Sequence, residues 1–312
     1  MGKILYAILK TARPRQWVKN LAVFTTVFFT GRVFDVPLLW SSLLGFITFC
    51  FLASSNYIFN DILDISSDRR HPFKRYRPVA SGMLPVPAAL TASALFAACG
   101  LYLSTFLGAA FFALAIAFIV LQYAYSLVLK KISIIDILAI TSGYIIRVYA
   151  GEAVTGYHIS VWLALTALSL SLFLAIGKRR SELTLVQGYK GILPKDTRET
   201  LSHYSEKLLD TYTAMFANST FITYAFYTFL ERPLFTGFLL KGYSNFVDDL
   251  PGRKWMMLTI PFVLFGIMRY MQLIYEGKGE SPEKILTSDL PLLSTVLLWV
   301  FSIVVVIYGI GG

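Results

Sequence analysis

The sequence predicts an all-α integral membrane protein, a bundle of about nine transmembrane helices with a polar mouth on one side. Two observations lead to this fold class. Hydrophobic residues make up 56% of the 312 residues and charged residues only 15%, with a mean hydropathy of +0.64. Long apolar stretches also recur along the whole chain. A soluble domain of this length would be far more polar, so a soluble fold is excluded.

The N-terminus predicts an interfacial helix ahead of the first span. Residues 1–15 have too short an apolar core for a secretory signal, and Lys3 and Lys10 flank an apolar face. Nine stretches of spanning length, about 20 residues each, follow this segment. They lie at residues 20–35, 38–60, 86–106, 108–129, 132–154, 159–177, 208–230, 255–275 and 289–309. We therefore expect a single polytopic domain over residues 1–312.

The basic residues predict the orientation. Loops on one side carry 21 lysines and arginines, whereas loops on the other side carry 5. Because cytoplasmic loops retain positive charge, we expect the N-terminus and the acidic motif described next to face the cytoplasm of a cell with an inner (plasma) membrane. The net charge of +10 is explained by these loops and by anionic lipid, so we expect no nucleic acid partner.

The chemistry is concentrated in residues 60–78, which read NDILDISSDRRHPFKRYRP. On an α-helix, Asp61, Asp64 and Asp68 would project within an arc of about 60°, with Asn60 beside them. Carboxylates this close repel one another unless a cation lies among them, and their oxygens suit Mg²⁺. Five cations that could bind phosphate follow, namely Arg69, Arg70, Lys74, Arg75 and Arg77. The pattern predicts a diphosphate substrate held through Mg²⁺; the alternative is a solvated loop of mixed charge.

Further candidate phosphate contacts lie on the same expected side of the membrane. Lys19 opens the first predicted span, and the fourth span ends at Tyr125, Lys130 and Lys131. The alternative for these residues is an interfacial anchor that complements a helix dipole. After the sixth span, Lys178, Arg179 and Glu182 follow one another closely, with Lys178 and Glu182 spaced to share a helix face. A positive-inside anchor would explain the cations but leaves Glu182 without a role.

Two ionisable residues lie inside the fifth predicted span. Asp136 and Arg147 are eleven residues apart, about 16 Å along a helix, so they cannot pair with each other. A functional role and a structural pairing with a neighbouring helix both remain open. Elsewhere the three histidines have no ligand spacing, Cys50 and Cys99 have no partner spacing, and no Ser/His/Asp relay is indicated.

These residues resemble the UbiA superfamily of intramembrane prenyltransferases, whose members have nine helices and a first motif N-D-x-x-D-x-x-x-D. Asn60, Asp61, Asp64 and Asp68 match that motif. The family's tyrosine and lysine at the end of the fourth helix match Tyr125 and Lys130. The resemblance covers the whole chain in helix count and implies an Mg²⁺-dependent transferase.

One departure from the family pattern is informative. Prenyl-transferring members carry a second D-x-x-x-D motif after the sixth helix, where this chain has Lys178-Arg-Arg-Ser-Glu182. Together with Arg13-Pro-x-Gln-Trp-x-Lys-Asn20, His71-Pro-x-Lys-Arg-x-Arg-Pro78 and Pro282-Glu-x-x-Leu-x-x-Asp289, this resembles the decaprenyl-phosphate phosphoribosyltransferase branch. The branch implies transfer of the phosphoribosyl group of phosphoribosyl diphosphate to a polyprenyl phosphate.

The charges agree with such substrates, which carry more phosphate groups than a prenyl donor and therefore call for more cations and fewer acids. The expected cations around one Mg²⁺ region are Lys19, Arg75, Arg77, Lys130, Lys131, Lys178 and Arg179. An ionised acceptor phosphate needs no general base, and Glu182 would orient cations or a ribose hydroxyl. The alternatives are a prenyltransferase acting on an aromatic or other acceptor, and a transporter. The oligomeric state stays open, a homo-oligomer included.

Overall fold

The computed structural model describes residues 2–70, 74–187, 199–231, 255–276 and 282–310, and all regular structure within them is helical. The α-helices are α1 Gly2–Ala12, α2 Thr25–Phe29, α3 Val36–Leu63, α4 Ile65–Arg70, α5 Val86–Ser104, α6 Ala109–Leu127, α7 Ile135–Thr155, α8 Val161–Gln187, α9 Glu206–Leu230, α10 Ile260–Tyr275, α11 Pro282–Ser288 and α12 Leu290–Val304. Short 3₁₀ segments connect several of them, and a π-helical turn, Val305–Ile310, follows α12. The all-α prediction is confirmed.

Among the described residues, seven helical segments are long and apolar enough to cross a membrane. They are Val36–Leu63, Val86–Leu107, Ala109–Leu127, Ile135–Thr155, Val161–Thr184, Trp255–Tyr275 and Leu290–Ile310. The helix α9 has the length but is less apolar, because threonines, tyrosines, Asn218 and Ser219 interrupt its hydrophobic residues. The count of nine spans therefore stays a prediction.

The first predicted span has a different form from the one expected. Instead of one helix over residues 20–35, a 3₁₀ helix, Pro14–Phe24, is followed by the five-residue α2. The prediction of a continuous spanning α-helix here is wrong. The tighter helix is held by tertiary contacts, since Trp17 Nε1 donates to Ser54 Oγ at 3.1 Å and Asn20 Nδ2 donates to Cys50 Sγ at 3.2 Å.

The chain divides into two compact units. The first comprises residues 1–25, 40–156 and 186–204, and the second comprises residues 26–39, 157–185 and 205–312. The expectation of a single domain over residues 1–312 stays a prediction.

The first unit is built on α3, α5, α6 and α7. Its core contains edge-to-face contacts of Phe49 with Phe111 and Phe118, with ring centroids 5.7 and 5.0 Å apart. Gly143 of α7 lies beside the end of the Gln122 side chain of α6, where an added Cβ would be 2.9 Å from Gln122 Nε2 and that side chain would have to shift. The helix α1 buries Ala7 against Ile58 and exposes Ile4, Leu5, Tyr6 and Leu9. That apolar exposed face agrees with the expected interfacial segment, whose membrane location stays a prediction.

The second unit is built on α8, α9, α10 and α12. An aromatic cluster holds one part of it, where Trp299 Nε1 donates to the Tyr224 hydroxyl at 2.8 Å and that hydroxyl lies 2.6 Å from Thr259 Oγ1. In another part, Asp289 accepts from Leu292 N at 2.9 Å and pairs with Arg269 at 2.7 Å. The last residue of the Pro282–Asp289 motif thus begins α12 and ties it to α10.

Candidate active site

The three aspartates lie where α3 passes into α4. Helix α3 ends at Leu63, yet the backbone bonds Asp64 N to Asn60 O, 3.0 Å, and Asp68 N to Asp64 O, 2.8 Å, preserve the helical i to i−4 pattern. The helical phase of the motif is therefore kept through the break, as its spacing predicts.

Two of these carboxylates converge on one arginine. Arg77 Nη1 lies 3.2 Å from Asp61 Oδ1 and 2.7 Å from Asp68 Oδ2, and both aspartates are almost fully buried. Asp61 Oδ1 also accepts from Arg13 Nη2 at 2.5 Å, and the Arg13 guanidinium stacks over the ring of Tyr57. Buried carboxylates need such partners, because an unpaired buried charge is strongly unfavourable.

The third carboxylate has a different cation. Lys130 Nζ donates to Asp64 Oδ1 at 2.7 Å and to Asn60 Oδ1 at 3.0 Å, while Asn60 Nδ2 donates to Asp64 Oδ2 at 2.8 Å. Lys130 comes from the 3₁₀ turn Leu129–Lys131 between α6 and α7. The structure therefore brings together the four residues of the acidic motif with the predicted cations Arg77 and Lys130.

The donor set fits a divalent cation completed by substrate oxygens better than one held by protein alone. Among the residues that the structure describes, no group of three or more acidic, histidine or cysteine side chains is arranged to hold a metal ion. Asp61 and Asp68 nevertheless share one Arg77 nitrogen, so both lie within reach of a single cation. One or two carboxylates with substrate phosphates is the usual Mg²⁺ arrangement. Metal binding by all three aspartates stays a prediction.

For the other predicted substrate contacts, the structure gives the exposure of each side chain. Lys19, Lys74 and Tyr125 are partly buried, and Lys131 is exposed. Arg75 is exposed and its guanidinium lies 4.8 Å from the ring centre of Tyr76. Their roles in substrate binding stay predictions. Residues 71–73, including His71, lie outside the described residues.

The basic segment of α8 belongs to the second unit. Arg179 is fully buried, and its Nη1 donates to Glu182 Oε2 at 2.6 Å. Arg180 pairs with Asp210 at 2.7 Å and with Glu206 at 3.1 Å, and both carboxylates come from α9. Glu182 thus contacts one of the cations of this segment, and whether it orients them or a ribose hydroxyl stays a prediction. The roles of Lys178, Arg179 and Glu182 in substrate binding stay predictions.

Sequence reasoning missed the contact of Arg13 with Asp61, which joins residues 48 positions apart. It also left Arg147 unresolved. Arg147 Nε donates to Asn20 Oδ1 at 2.7 Å and Nη1 donates to Gly143 O at 2.7 Å, and the guanidinium lies 4.5 Å from the Phe118 ring centre. Within the described ranges, no carboxylate lies within ion-pair distance of Arg147. Hydrogen bonds and aromatic faces replace a counter-ion here.

The family profile described as "UbiA prenyltransferase family" matches residues 21–181, more than half of the chain and the part that carries the acidic motif. The chain belongs to the UbiA prenyltransferase family. With seven helices of spanning length among its described residues, this UbiA protein is a multi-pass membrane protein.

Two curated proteins that are similar over nearly the whole chain carry the same name. The decaprenyl-phosphate phosphoribosyltransferase of Corynebacterium glutamicum is 33% identical over 96% of this chain and 86% of its own length. The protein of the same name from Mycolicibacterium smegmatis is 31% identical over 98% of this chain and 93% of its own length.

Solved structures share the fold. A UbiA homologue from Archaeoglobus fulgidus bound to GPP and Mg²⁺ has a TM-score of 0.70 at 18% identity, covering 96% of this chain and 99% of that chain. The same homologue bound to DMAPP and Mg²⁺ has a TM-score of 0.69 at 19% identity, covering 96% of this chain and 98% of that chain. At this identity the likeness establishes the UbiA fold and leaves the substrate to be inferred from the residues.

Proposed function

We propose that this UbiA protein transfers the 5-phosphoribosyl group of phosphoribosyl diphosphate to a polyprenyl phosphate such as decaprenyl phosphate, and releases diphosphate. The observation that carries the proposal is the replacement of the second acidic motif by Lys178-Arg-Arg-Ser-Glu182, in a chain similar over nearly its whole length to proteins named decaprenyl-phosphate phosphoribosyltransferase. A prenyl diphosphate donor has one charged end, whereas these two substrates together carry three phosphorylated groups. More cations than carboxylates are then needed.

The carboxylates would hold a divalent cation, with Mg²⁺ as the metal. Asp61 and Asp68 are the two candidates that already converge on one cation, and Asp64 with Asn60 lies next to them on the same helical run. When bound, the metal would neutralise charge on the diphosphate and improve it as a leaving group. Solved structures of the Archaeoglobus fulgidus UbiA homologue bound to Mg²⁺ or to Cd²⁺ support a divalent cation in this fold.

The cations of the first unit would then change partners. Arg13, Arg77 and Lys130 contact the carboxylates in the structure, and a metal at those carboxylates would release them toward phosphate oxygens. Their expected role is to stabilise the negative charge that develops on the leaving diphosphate.

The reaction itself needs little from the protein as acid or base. An oxygen of the ionised acceptor phosphate forms a bond to C1 of the ribose, while the bond from C1 to the diphosphate oxygen breaks and the diphosphate leaves with the electron pair. No proton has to be removed, in agreement with a site of carboxylates, an amide and cations.

The site should open to the cytoplasm of a cell bounded by an inner membrane. The loop charges, 21 against 5, support this orientation, and phosphoribosyl diphosphate is water-soluble. Ser67 is exposed beside the motif, so a Ser67→Cys variant in a Cys99→Ser background should react with an impermeant thiol reagent in inside-out vesicles. Labelling in intact cells instead would overturn the orientation.

The deciding experiment is an assay of purified protein with Mg²⁺. We expect a lipid-linked ribose phosphate from phosphoribosyl diphosphate and decaprenyl phosphate, and no product when EDTA replaces Mg²⁺. A parallel reaction offers geranyl diphosphate and an aromatic acceptor. Prenylation there, with no lipid-linked ribose phosphate in the first reaction, would establish the alternative prenyltransferase function. Turnover unaffected by EDTA would contradict the metal site.

A further inference from the structure

The turn between α6 and α7 contains a strained residue close to the candidate active site. Ile134 has φ 70° and ψ −47°, a combination that β-branched residues rarely adopt because of their Cβ substituents. Such strain persists when surrounding contacts impose it, and it is concentrated at functional sites.

A tyrosine from a distant segment holds this turn. The hydroxyl of Tyr204 accepts a hydrogen bond from Ile134 N at 2.7 Å and donates one to Asp136 Oδ1 at 2.8 Å. Tyr204 is 5% exposed and Asp136 is fully buried. Burial raises the pKa of the Tyr204 hydroxyl and the neighbouring Asp136 raises it further, so the hydroxyl keeps the proton that it donates.

The same turn carries one of the three cations that contact the acidic motif. Lys130 lies four residues before Ile134, and its Nζ contacts both Asn60 and Asp64. Backbone bonds from Lys131 N to Val128 O, 3.0 Å, and from Asp136 N to Ile132 O, 3.0 Å, join the turn to the ends of α6 and α7. Lys130 and Ile134 therefore belong to one short hydrogen-bonded connection between α6 and α7.

We propose that Tyr204 is a positioning residue, which holds Ile134 at positive φ and thereby keeps Lys130 against Asn60 and Asp64. Asp136 serves this contact as the acceptor that orients the tyrosine hydroxyl. The role of Lys130 toward phosphate rests on the proposed function, whereas its placement by Tyr204 does not. Asp136 thus acts independently of Arg147, which lies about 16 Å away along α7.

The first test measures where Lys130 is, without any turnover. Lys130 is half-buried in its ion pair and its neighbour Lys131 is exposed, so Lys131 serves as an internal reference for acetylation followed by mass spectrometry. In Tyr204→Phe, which keeps the ring and loses both hydrogen bonds, we expect the reactivity of Lys130 relative to Lys131 to rise about threefold or more. An unchanged ratio would overturn the proposal.

A rescue distinguishes positioning from general stabilisation. Glycine adopts positive φ without the Cβ clash, so Ile134→Gly should restore the low reactivity of Lys130 in a Tyr204→Phe background. If Tyr204 only stabilises the segment that follows the 3₁₀ helix Glu199–His203, the reactivity of Lys130 should stay high in the double variant. The proposal would then be wrong. Tyr102→Phe, an exposed tyrosine of α5, is the matched control and should change nothing.

The kinetic arm separates the two proposals. For Tyr204→Phe we expect the KM of one phosphorylated substrate to rise about tenfold with a smaller change in kcat, and Ile134→Gly to reverse it. A protein in which Lys130 reactivity responds as expected but which makes no lipid-linked ribose phosphate would retain the role of Tyr204 and lose the proposed function. If the enzyme makes lipid-linked ribose phosphate but the reactivity of Lys130 is unchanged in Tyr204→Phe, the proposed function would be retained and the role of Tyr204 would be lost.

Discussion

The acidic motif of the first unit and the basic segment of α8 in the second unit both consist of paired charges, but their pairs are built differently. In the acidic motif, each carboxylate contacts a cation from another segment of the chain. Arg13 is 48 residues from Asp61, and Lys130 is 66 residues from Asp64. Arg77 is 16 residues from Asp61 and 9 residues from Asp68. In the basic segment, Arg179 pairs three residues along its own helix. Arg180 pairs with α9.

The difference indicates which pairs can be exchanged for substrate. When a metal ion binds a carboxylate of the acidic motif, the cation that was paired with that carboxylate can bind a substrate phosphate instead. The carboxylate and the cation then each have a new charged contact. Arg180 has two carboxylates and the ring of Tyr275 around it, and breaking these contacts would leave a mostly buried cation without partners. This contrast supports our proposal that the reaction takes place at the acidic motif, and it predicts a mainly structural role for Arg180.

The largest expected effect comes from the two carboxylates that share Arg77. We expect Asp61→Asn and Asp68→Asn each to lower kcat by about a hundredfold or more, because the amide keeps the shape but loses the charge that would hold the metal. The measurement is the initial rate of lipid-linked ribose phosphate formation over a range of Mg²⁺ concentrations. The required Mg²⁺ concentration should also rise.

A matched control for this prediction lies outside the motif. Asp35 accepts from Leu38 N at the start of α3, and Asn performs the same task, so Asp35→Asn should keep full activity. If Asp61→Asn and Asp68→Asn were as active as the wild type and Asp35→Asn, both carboxylates would be only structural partners of Arg77. The contrast between the two regions would then disappear.

Much of the acidic motif was predictable from the sequence, because it depends on local helical spacing. The interval between Asp61 and Asp68 places both on one face, and both indeed meet the same arginine. Most of the membrane-length helices were predictable for a similar reason, since each depends on a continuous apolar stretch.

What sequence spacing could not predict depends on contacts between distant segments. The 3₁₀ helix Pro14–Phe24 replaces an expected α-helix because Arg147, 127 residues away from Asn20, and Ser54 bind its side chains. The positive φ of Ile134 likewise depends on Tyr204, 70 residues away. Local propensity alone favours neither conformation.

A smaller effect is expected for Lys178, which is partly buried, whereas the other two cations of the basic segment are buried. A charge-assisted contact to phosphate is worth about 1.5–3 kcal/mol, so Lys178→Ala should raise the KM of one phosphorylated substrate about ten- to a hundredfold. The Mg²⁺ dependence should hardly change, because no carboxylate is removed. Exposed Lys207 of α9 provides the matched variant, Lys207→Ala, which should leave both KM values unaltered.

Arg179→Ala tests the buried part of the same basic segment. Arg179 is fully buried, so its loss should affect KM through the freed Glu182 as well as through any phosphate contact. Unaltered KM values for both substrates in the Lys178 and Arg179 variants would reduce the segment to a positive-inside anchor. The main sequence argument for a phosphoribosyl donor over a prenyl donor would then be lost.

The smallest effect on turnover is expected for the adjacent arginine. Arg180→Ala removes the ion pairs with Asp210 and Glu206, and since those two carboxylates are partly exposed, the loss in unfolding free energy should be about 1 kcal/mol. Thermal unfolding in detergent should show a lower Tm than the wild type, while KM for both substrates stays within about twofold, because this guanidinium is already occupied by protein carboxylates. Two neighbouring arginines on one helix would thus give different results. A rise of KM in Arg180→Ala as large as that in Lys178→Ala would show that substrate displaces Asp210 and Glu206, and the basic segment would then exchange its partners as the acidic motif does.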